Sequence, residues 1–233
     1  MLILALDTTT RAGSVALVRD GAVIHEHGGD GQITHGQRLP GALIDACRTA
    51  RVEIADVTLL AVAAGPGSFT GLRIGIATMQ GLAMARGARI VPVSALEALA
   101  VAAPDGSARV AAWMDAHRGE VFAQVFEREP GRAIARPLTE AISGAPAAVL
   151  QRQAASLDAA AFEGDGAVRY RDLILATRGS GVRIAPDVPR LAAAIGLIAA
   201  QAPERAVLPH AVVPIYVRKP DAELARDRRA AGA

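Results

Sequence analysis

One short pattern occurs twice in the chain, and it constrains the fold more than any other feature of the sequence. It consists of an apolar stretch that ends in aspartate, a turn that contains glycine, and a second β-like stretch. The first copy begins at residue 2 with LILALDTTTRAGSVALV, and the second begins at residue 109 with RVAAWMDAHRGEVFAQVFE. Short, continuously apolar stretches are typical of strands buried on both faces. The repeat therefore predicts two related lobes, each begun by an antiparallel pair of strands.

The order of the other elements follows from the spacing of apolar residues. Asp20-Gly21 separates two β-like stretches and indicates a hairpin. Helical spacing then alternates with short apolar runs, which gives the order β-β-β-α-β-α-β-α in the first half. Further helical patterns lie near residues 146–155, 167–176 and 189–201. This alternation predicts an α/β fold in which each lobe is a mixed sheet flanked by helices.

Domain boundaries are predicted from the turn Pro104-Asp105-Gly106-Ser107, which separates the two copies of the pattern. We assign residues 1–106 to the first lobe and residues 107–218 to the second. Residues 219–233 are charged and rich in alanine, so we predict a flexible tail there.

Two lobes that open in this way are typical of the actin-like architecture of actin, hexokinase and Hsp70-type proteins (the ASKHA, ribonuclease H-like fold), which binds a nucleotide between the lobes. The second turn contains His117 and Arg118, which are bulkier than the small residues that approach phosphates. A possible adenosine-side turn lies at residues 164–166. We expect no required cofactor and at most weak ATP or ADP binding. The candidate nucleotide-type turn residues are Asp7, Thr8, Thr9, Asp115 and Gly119.

The stretch GPGSFTGLRIG, residues 65–75, lies between an apolar strand and a helix predicted to begin near Thr70. It lacks the lysine of a phosphate-binding P-loop and the glycine spacing of a dinucleotide-binding turn. Two interpretations remain open. Backbone N–H groups at the helix N-terminus could receive an anion, or glycines could adopt dihedral angles closed to other residues while a hydroxyl caps the helix. The residues concerned are Gly65, Gly67, Ser68, Phe69, Thr70, Gly71 and Arg73.

Composition narrows the function classes. The formal net charge is +2, which is too small to indicate a nucleic-acid surface by itself. Cys47 is the lone cysteine, so no internal disulfide is possible. The first residues lack the basic start of a signal peptide, and no apolar run reaches the length of a membrane span. We expect a cytoplasmic location.

Metal and protease chemistry are poorly supported by the residue pattern. The five histidines include no pair four residues apart, and His25 and His27 alternate along a predicted peripheral strand without a third ligand. Ser68 has no base nearby in sequence, and the nucleophile-elbow pattern G-x-S-x-G is absent around it. We therefore predict neither a metal site nor a catalytic residue.

Four blocks of the sequence resemble one bacterial family. They are LALDTTTRAGSVALV, GPGSFTGLRIGIATMQGLAMA, DAHRGEVFA and VPIYVRKP, and they fall in the order in which the family has them. On these blocks the chain is similar to the TsaB (YeaZ) family, from its first residues to about residue 219. The resemblance is loose between residues 130 and 205.

The resemblance implies a fold, a role and a set of partners. TsaB-like proteins have the two-lobed actin-like fold and support TsaD, which threonylcarbamoylates the adenosine 3′ of the anticodon in tRNAs that read codons starting with A. The implied role is a non-catalytic scaffold that binds TsaD directly, joins TsaE in the complex and depends on TsaC for the donor. A homodimer is possible when TsaD is absent. The alternative is a nucleotide-hydrolysing or glycoprotease-like enzyme of the same superfamily.

A partner surface is predicted on the two helices of the first lobe. Each helix must cover its own sheet with one face, and a second apolar face would offer a patch that a monomer rarely leaves bare. TsaB-like proteins are expected to use this helix pair for TsaD and for self-pairing. The alternative that both faces are internal remains open. The predicted interface residues are Leu39, Leu43, Ala46, Cys47, Leu72, Gly75, Ile76, Met79 and Ala83.

Overall fold

Two five-stranded sheets form the centre of the molecule, which is a computed structural model. The structure describes residues 1–29, 31–104, 106–129 and 131–218, so the predicted tail at residues 219–233 lies outside the described residues. The first sheet has the order β3-β2-β1-β4-β5. Its strands are β1 (Leu2–Asp7), β2 (Ser14–Arg19), β3 (Ala22–Gly28), β4 (Leu59–Gly65) and β5 (Ile90–Ser94).

The second sheet repeats the beginning of the first. Strand β6 pairs antiparallel with β7, as β1 does with β2, and β6 pairs in parallel with β10, as β1 does with β4. Both sheets are therefore mixed, and both begin with an antiparallel pair. The strands are β6 (Arg109–Asp115), β7 (Val121–Arg128), β8 (Ala135–Pro137), β9 (Ile142–Gly144) and β10 (Ala161–Glu163).

Seven helices in the described residues cover the sheets in three layers. One layer packs on the outer face of each sheet, and the third lies between the sheets. They are α1 (His35–Thr49), α2 (Phe69–Arg86), α3 (Ala95–Ala102), α4 (Pro146–Arg152), α5 (Asp165–Arg169), α6 (Arg171–Arg178) and α7 (Ala192–Gln201). None of these helices combines the length and the apolar character needed to cross a membrane.

Strand β1 shows why its sequence is apolar without interruption. Leu4 and Leu6 point into the core beneath α1 and α2, whereas Ile3 and Ala5 point into the core formed with α3 and α7. Because both faces are covered, alternation between apolar and polar residues would leave a polar side chain buried. The two-lobed actin-like architecture and the element order of the first lobe are confirmed.

The middle layer belongs to both halves of the chain. Helix α7 packs on β1 and β2 of the first sheet and also on α3. Beyond it, Val207 forms an antiparallel bridge with Ile90, and the Ile215 amide donates to the Ala64 carbonyl at 2.7 Å. The strands divide between the sheets near the predicted boundary at residue 106. The end of the predicted second lobe nevertheless returns to the first sheet, because α7 buries its apolar residues against the strands of that sheet and against α3.

Candidate functional site

The two acidic turns and the glycine-rich loop meet at one cleft between the lobes, as the actin-like architecture predicts. The cleft encloses about 480 Å³. The first lobe contributes the turn after β1, the segment before α1 and the start of α2, and the second lobe contributes the turns after β6 and β10. The lining residues are Thr9, Thr10, Arg11, Gly31, Gln32, Ile33, Thr34, His35, Ser68, Thr70, Gly71, Ile74, Met114, Asp115, His117 and Asp165.

The carboxylate of Asp7 is fully engaged inside its own turn. One oxygen accepts from the Thr9 amide at 2.8 Å and from the Thr9 hydroxyl at 2.5 Å, and the other accepts from the Thr10 hydroxyl at 2.8 Å. Asp7 is buried, and burial raises the pKa of its carboxyl although these hydrogen bonds oppose the shift. The repeated pattern led us to expect that Asp7 and Thr8 hold this turn by local hydrogen bonds, and the Asp7 side chain does so whereas the Thr8 side chain does not. Thr8 is buried beside it, and its hydroxyl has no hydrogen-bond partner among the described residues.

The second lobe brings two aspartates together below the cleft. The Asp115 carboxylate pairs with the Arg169 guanidinium at 2.8 Å and accepts from the His117 amide at 3.0 Å. The Asp165 carboxylate accepts from the amides of Asp115 and Gly166, both at 2.9 Å. Burial raises the pKa of Asp165 and the charge of Asp115 acts in the same direction, although the hydrogen bonds from the Asp115 and Gly166 amides oppose the shift. Both carboxylates are thus used to hold the ends of β6 and α5 together.

The turn between β6 and β7 has an unusual backbone. His117, Arg118 and Gly119 have φ values of 57°, 54° and 76°, so three consecutive residues are left-handed. The hairpin is closed by hydrogen bonds between Ala116 and Glu120 and between Glu120 and His117. Left-handed non-glycine residues are strained. The His117 side chain lines the cleft.

The glycine-rich loop joins β4 to α2, and its glycines permit close backbone contacts. Gly65 has φ 121°, and a Cβ at Gly67 would lie 2.5 Å from the Thr9 Cβ. Ser68 caps α2 by accepting from the Gly71 amide at 3.2 Å, and the Ser68 amide donates to the Thr9 carbonyl at 3.2 Å. Two of the amides proposed to receive an anion therefore already have partners. The structure favours the interpretation in which the loop shapes the backbone and docks on the Thr8–Thr9 turn.

Among the described residues, no group of three or more histidine, cysteine, aspartate or glutamate side chains is placed to hold a metal ion. His25 and His27 lie on β3, at the edge of the first sheet, as predicted. His35 lies at the cleft, where its ring contacts the Thr10 carbonyl and the Arg38 guanidinium. Burial and the charge of Arg38 lower the pKa of His35.

The prediction of an exposed partner interface at these nine residues of α1 and α2 is wrong, because their side chains all face inward. Every one of the nine is buried, and Met79 and Ala83 are completely inaccessible. They form the packing faces of α1 and α2 against the first sheet, and Gly75 packs on Thr8. The residues concerned are Leu39, Leu43, Ala46, Cys47, Leu72, Gly75, Ile76, Met79 and Ala83.

A different stripe of α2 faces outward. Its residues follow helical spacing along the whole helix, and all of them are exposed. Met84 is 72% exposed, and Ile44 on the neighbouring helix α1 is 55% exposed. The outward stripe consists of Phe69, Arg73, Ala77, Gly81 and Met84.

Sequence reasoning missed two parts of this site. The sequence places Asp165 within a glycine-containing turn and gives no sign that its carboxylate accepts from the amide of Asp115, the last residue of β6. The stacking of Tyr216 on Phe69, with ring centroids 5.8 Å apart, was also missed. The partners are 50 and 147 residues apart in sequence, so no local spacing could have indicated them.

Comparison with known sequences identifies relatives in one tRNA modification system. A family model described as TsaD, tRNA N6-adenosine threonylcarbamoyltransferase, matches residues 30–138. The chain is 41% identical over 131 residues to the tRNA threonylcarbamoyladenosine biosynthesis protein TsaB of Escherichia coli (strain K12). That alignment covers 55% of this chain and 56% of the relative. The chain thus spans about half the length of the curated relatives it matches.

Solved structures match nearly the whole chain. A Pseudomonas aeruginosa protein described as uncharacterized with similarity to peptidase YEAZ has 32% identity and a TM-score of 0.78, covering 93% of this chain and 99% of that one. YeaZ from Pseudomonas aeruginosa has 29% identity and a TM-score of 0.77, covering 92% and 100%. Component A of (R)-2-hydroxyglutaryl-CoA dehydratase from Acidaminococcus fermentans has 13% identity and a TM-score of 0.51, covering 86% and 98%. This last likeness extends to the fold alone.

Proposed function

Because this chain belongs to the TsaB (YeaZ) family, we propose that it is a non-catalytic partner subunit in tRNA threonylcarbamoylation. The proposed reaction modifies the adenosine 3′ of the anticodon in tRNAs that read codons starting with A. The observation that carries the proposal is the likeness to TsaB and YeaZ proteins, together with a cleft whose carboxylates are already engaged. Catalysis is assigned to the partner, and this chain supports it.

The state of the cleft supports a non-catalytic role. A general acid, base or metal ligand must be free to contact substrate. The carboxylates of Asp7, Asp115 and Asp165 are instead committed to backbone amides, hydroxyls and Arg169. Ser68, the residue that a protease hypothesis would use, caps α2 through its hydroxyl. These three carboxylates and the Ser68 hydroxyl therefore serve the structure of the cleft.

The proposed direct partner is TsaD, with TsaE as a further member of the complex and TsaC as the supplier of the threonylcarbamoyl donor. The outward faces of α1 and α2 are the proposed docking surface. Ile44, Ala77, Gly81 and Met84 combine exposed apolar side chains with small residues, and small residues let a second helix approach closely. The same faces could pair two copies of this chain when TsaD is absent, since a two-fold contact uses one patch twice.

Binding to the TsaD of the same organism tests this proposal. We expect the wild-type chain to co-purify with TsaD, and Met84→Glu to abolish binding while the melting temperature stays unchanged, because the side chain is exposed. The matched control is Val188→Glu, an exposed apolar side chain on the segment before α7. Met79→Glu should unfold the protein, because it places a charge in the core.

A reconstituted modification assay tests the role itself. We expect tRNA modification to require both TsaD and this chain, and we expect this chain alone to hydrolyse neither ATP nor protein. Absence of binding by the wild-type chain, or modification at full rate without it, would contradict the partner role. ATP or peptide hydrolysis by the isolated chain would instead support an enzyme of the actin-like superfamily.

A further inference from the structure

Two exposed aromatic side chains lie together at the start of α2. Phe69 is 41% exposed and Tyr216 is 40% exposed, and the other phenylalanine, tyrosine and tryptophan side chains among the described residues are more buried. Their rings are stacked, with centroids 5.8 Å apart and an angle of 30° between the planes. The Arg73 guanidinium lies 3.9 Å from the centre of the Phe69 ring and donates from Nε to the Tyr216 hydroxyl at 3.3 Å.

The aromatic pair is held in place before any partner arrives. The backbone of the segment that carries Tyr216 is fixed to the first lobe, where the Gln80 side chain donates to the Pro209 carbonyl at 2.8 Å. One residue before Tyr216, the Ile215 amide donates to the Ala64 carbonyl at 2.7 Å. A surface that is ordered in advance loses little conformational entropy on binding. The aromatic pair thus has the rigidity of an interface anchor.

The positive charge on this surface comes from Arg73. Among the described residues, no carboxylate lies within ion-pair distance of the Arg73 guanidinium, which lies on the Phe69 ring and donates to the Tyr216 hydroxyl. By contrast, Arg218 is paired with Glu120 at 2.7 Å. Arginine and aromatic side chains are enriched at the energetic centres of interfaces. Among the described residues, Arg73 is therefore the candidate on this surface for pairing with a carboxylate from another molecule.

We propose that Phe69, Arg73, Val213, Ile215 and Tyr216, the aromatic–arginine patch, bind a protein surface that presents a carboxylate among apolar side chains. The inference rests on the proposed function, because the occupant is assigned to the TsaD-type transferase that would dock on α1 and α2. Phe69 and Arg73 begin the outward stripe of α2, so the patch extends that docking surface without a break. The carboxylate would pair with Arg73, and its neighbours would cover Val213 and Ile215, which are 67% and 41% exposed.

A protein fits this patch better than RNA does. Aromatic platforms for bases need an open ring face and nearby cations for the phosphates. Here the Phe69 ring already contacts Arg73 and Tyr216, and the exposed neighbours Val213 and Ile215 are aliphatic. Aliphatic side chains around the single cation Arg73 are complementary to an apolar protein surface that contains one carboxylate.

Equilibrium binding of the full chain to the TsaD of the same organism tests the inference. We expect Tyr216→Ala and Arg73→Glu each to weaken binding about tenfold or more, with Tyr216→Phe close to wild type because it keeps the ring. The control is Arg152→Glu, an exposed arginine on α4 in the second lobe. Melting temperatures should stay within the range of the control. Wild-type affinity should also fall with salt, and Arg73→Glu should lose most of that dependence.

The outcomes separate this inference from the proposed function. If wild type binds and Met84→Glu does not, but Tyr216→Ala and Arg73→Glu bind normally, the patch is overturned and the partner role stands. If wild type does not bind TsaD at all, both are overturned. Binding of total tRNA by the isolated chain that is lost in Tyr216→Ala would overturn the choice of a protein. A homodimer that Tyr216→Ala and Arg73→Glu dissociate, with TsaD binding unaffected, would overturn the choice of a transferase.

Discussion

Asp7 and Asp115 end the first strand of each sheet at equivalent positions, and the two lobes surround them differently. Asp7 is buried and accepts three hydrogen bonds from Thr9 and Thr10 in its own turn. Asp115 is near the surface and pairs with Arg169, a residue 54 positions further along the chain. The first turn is thus held locally, and the second is held by the helix that follows β10.

The glycines of the two turns also differ in how closely other atoms pack around them. Gly13 has φ 58°, and a Cβ there would lie 2.7 Å from the Asp7 carbonyl oxygen. Gly119 has φ 76°, and a Cβ there would meet no atom within 4 Å. The first turn is packed beneath α1 at Gly13, whereas nothing packs against Gly119 in the second turn. One sequence pattern can therefore build a rigid turn in one lobe and an open turn in the other, depending on what packs against it.

Alanine at these two glycines should give the largest difference between the lobes. We expect Gly13→Ala to lower the free energy of unfolding by about 3 kcal/mol, because it adds a steric overlap to a left-handed residue. Gly119→Ala should cost about 1 kcal/mol, since only the backbone conformation opposes it. Denaturant titration of both variants measures the difference. Equal losses would show that the two turns are equally packed.

The buried carboxyl of Glu163, in the second lobe, should make the stability of the protein depend on pH. Burial raises the pKa of Glu163 from 4.5 to about 7, although the charge of Arg128 opposes the shift. A raised pKa in the folded state stabilises the fold below pH 4.5, and this contribution is lost as the pH rises through 7.

We expect the Glu163 carboxyl to cost wild type about 3 kcal/mol of stability as the pH rises from 4.5 to above 7. Glu163→Gln should remove most of this dependence, because a neutral side chain does not titrate, and should be more stable than wild type above pH 7. Unfolding titrations at several pH values test the expectation. A variant whose stability falls as steeply as that of wild type would assign the effect to another group, such as Asp7.

The strands and helices could be predicted from the sequence, but the faces that they expose could not. The continuous apolar run of β1 and the periodicity after Thr70 correctly predicted a central strand and a helix, because these signals are local. Helix α2 has apolar residues on both sides, with Leu72 and Met79 inward and Met84 outward. Nothing in such a pattern distinguishes the face that meets the sheet. The partner stripe was therefore placed on the wrong side of the helix.

Contacts between segments far apart in the chain also could not be predicted from the sequence. Asp165 holds the Asp115 amide from 50 residues away, and Tyr216 stacks on Phe69 from the far end of the chain. Such pairs depend on how β10 and the final segment cross the two sheets. The two lobes could be predicted from their repeated beginnings, whereas the contacts that join them could not.

The final segment offers a smaller test of how the lobes are joined. It is fixed to the first lobe at Ile215, and at Arg218 it pairs with Glu120 of the second lobe at 2.7 Å. Arg218→Ala should lower the free energy of unfolding by about 0.5–1 kcal/mol, because the pair is partly exposed. The control is Arg132→Ala, which removes a more exposed pair with Glu129 inside one lobe. No difference between the two variants would show that Arg218 does not link the lobes energetically.

The smallest expected effect concerns nucleotide binding in the cleft between the lobes. In the first lobe the Asp7 carboxylate is already occupied by its own turn, and in the second lobe His117 lines the space where phosphates would need small residues. A ligand present at a concentration equal to its Kd stabilises a protein by only about 0.4 kcal/mol, which is about 1 °C for a chain of this size. We expect millimolar ATP with magnesium to raise the melting temperature by no more than this, with ADP and magnesium alone as controls. A magnesium-dependent rise of several degrees would mean that the turns rearrange to free Asp7 or Asp115, and the two lobes would then share a nucleotide function that their resting contacts conceal.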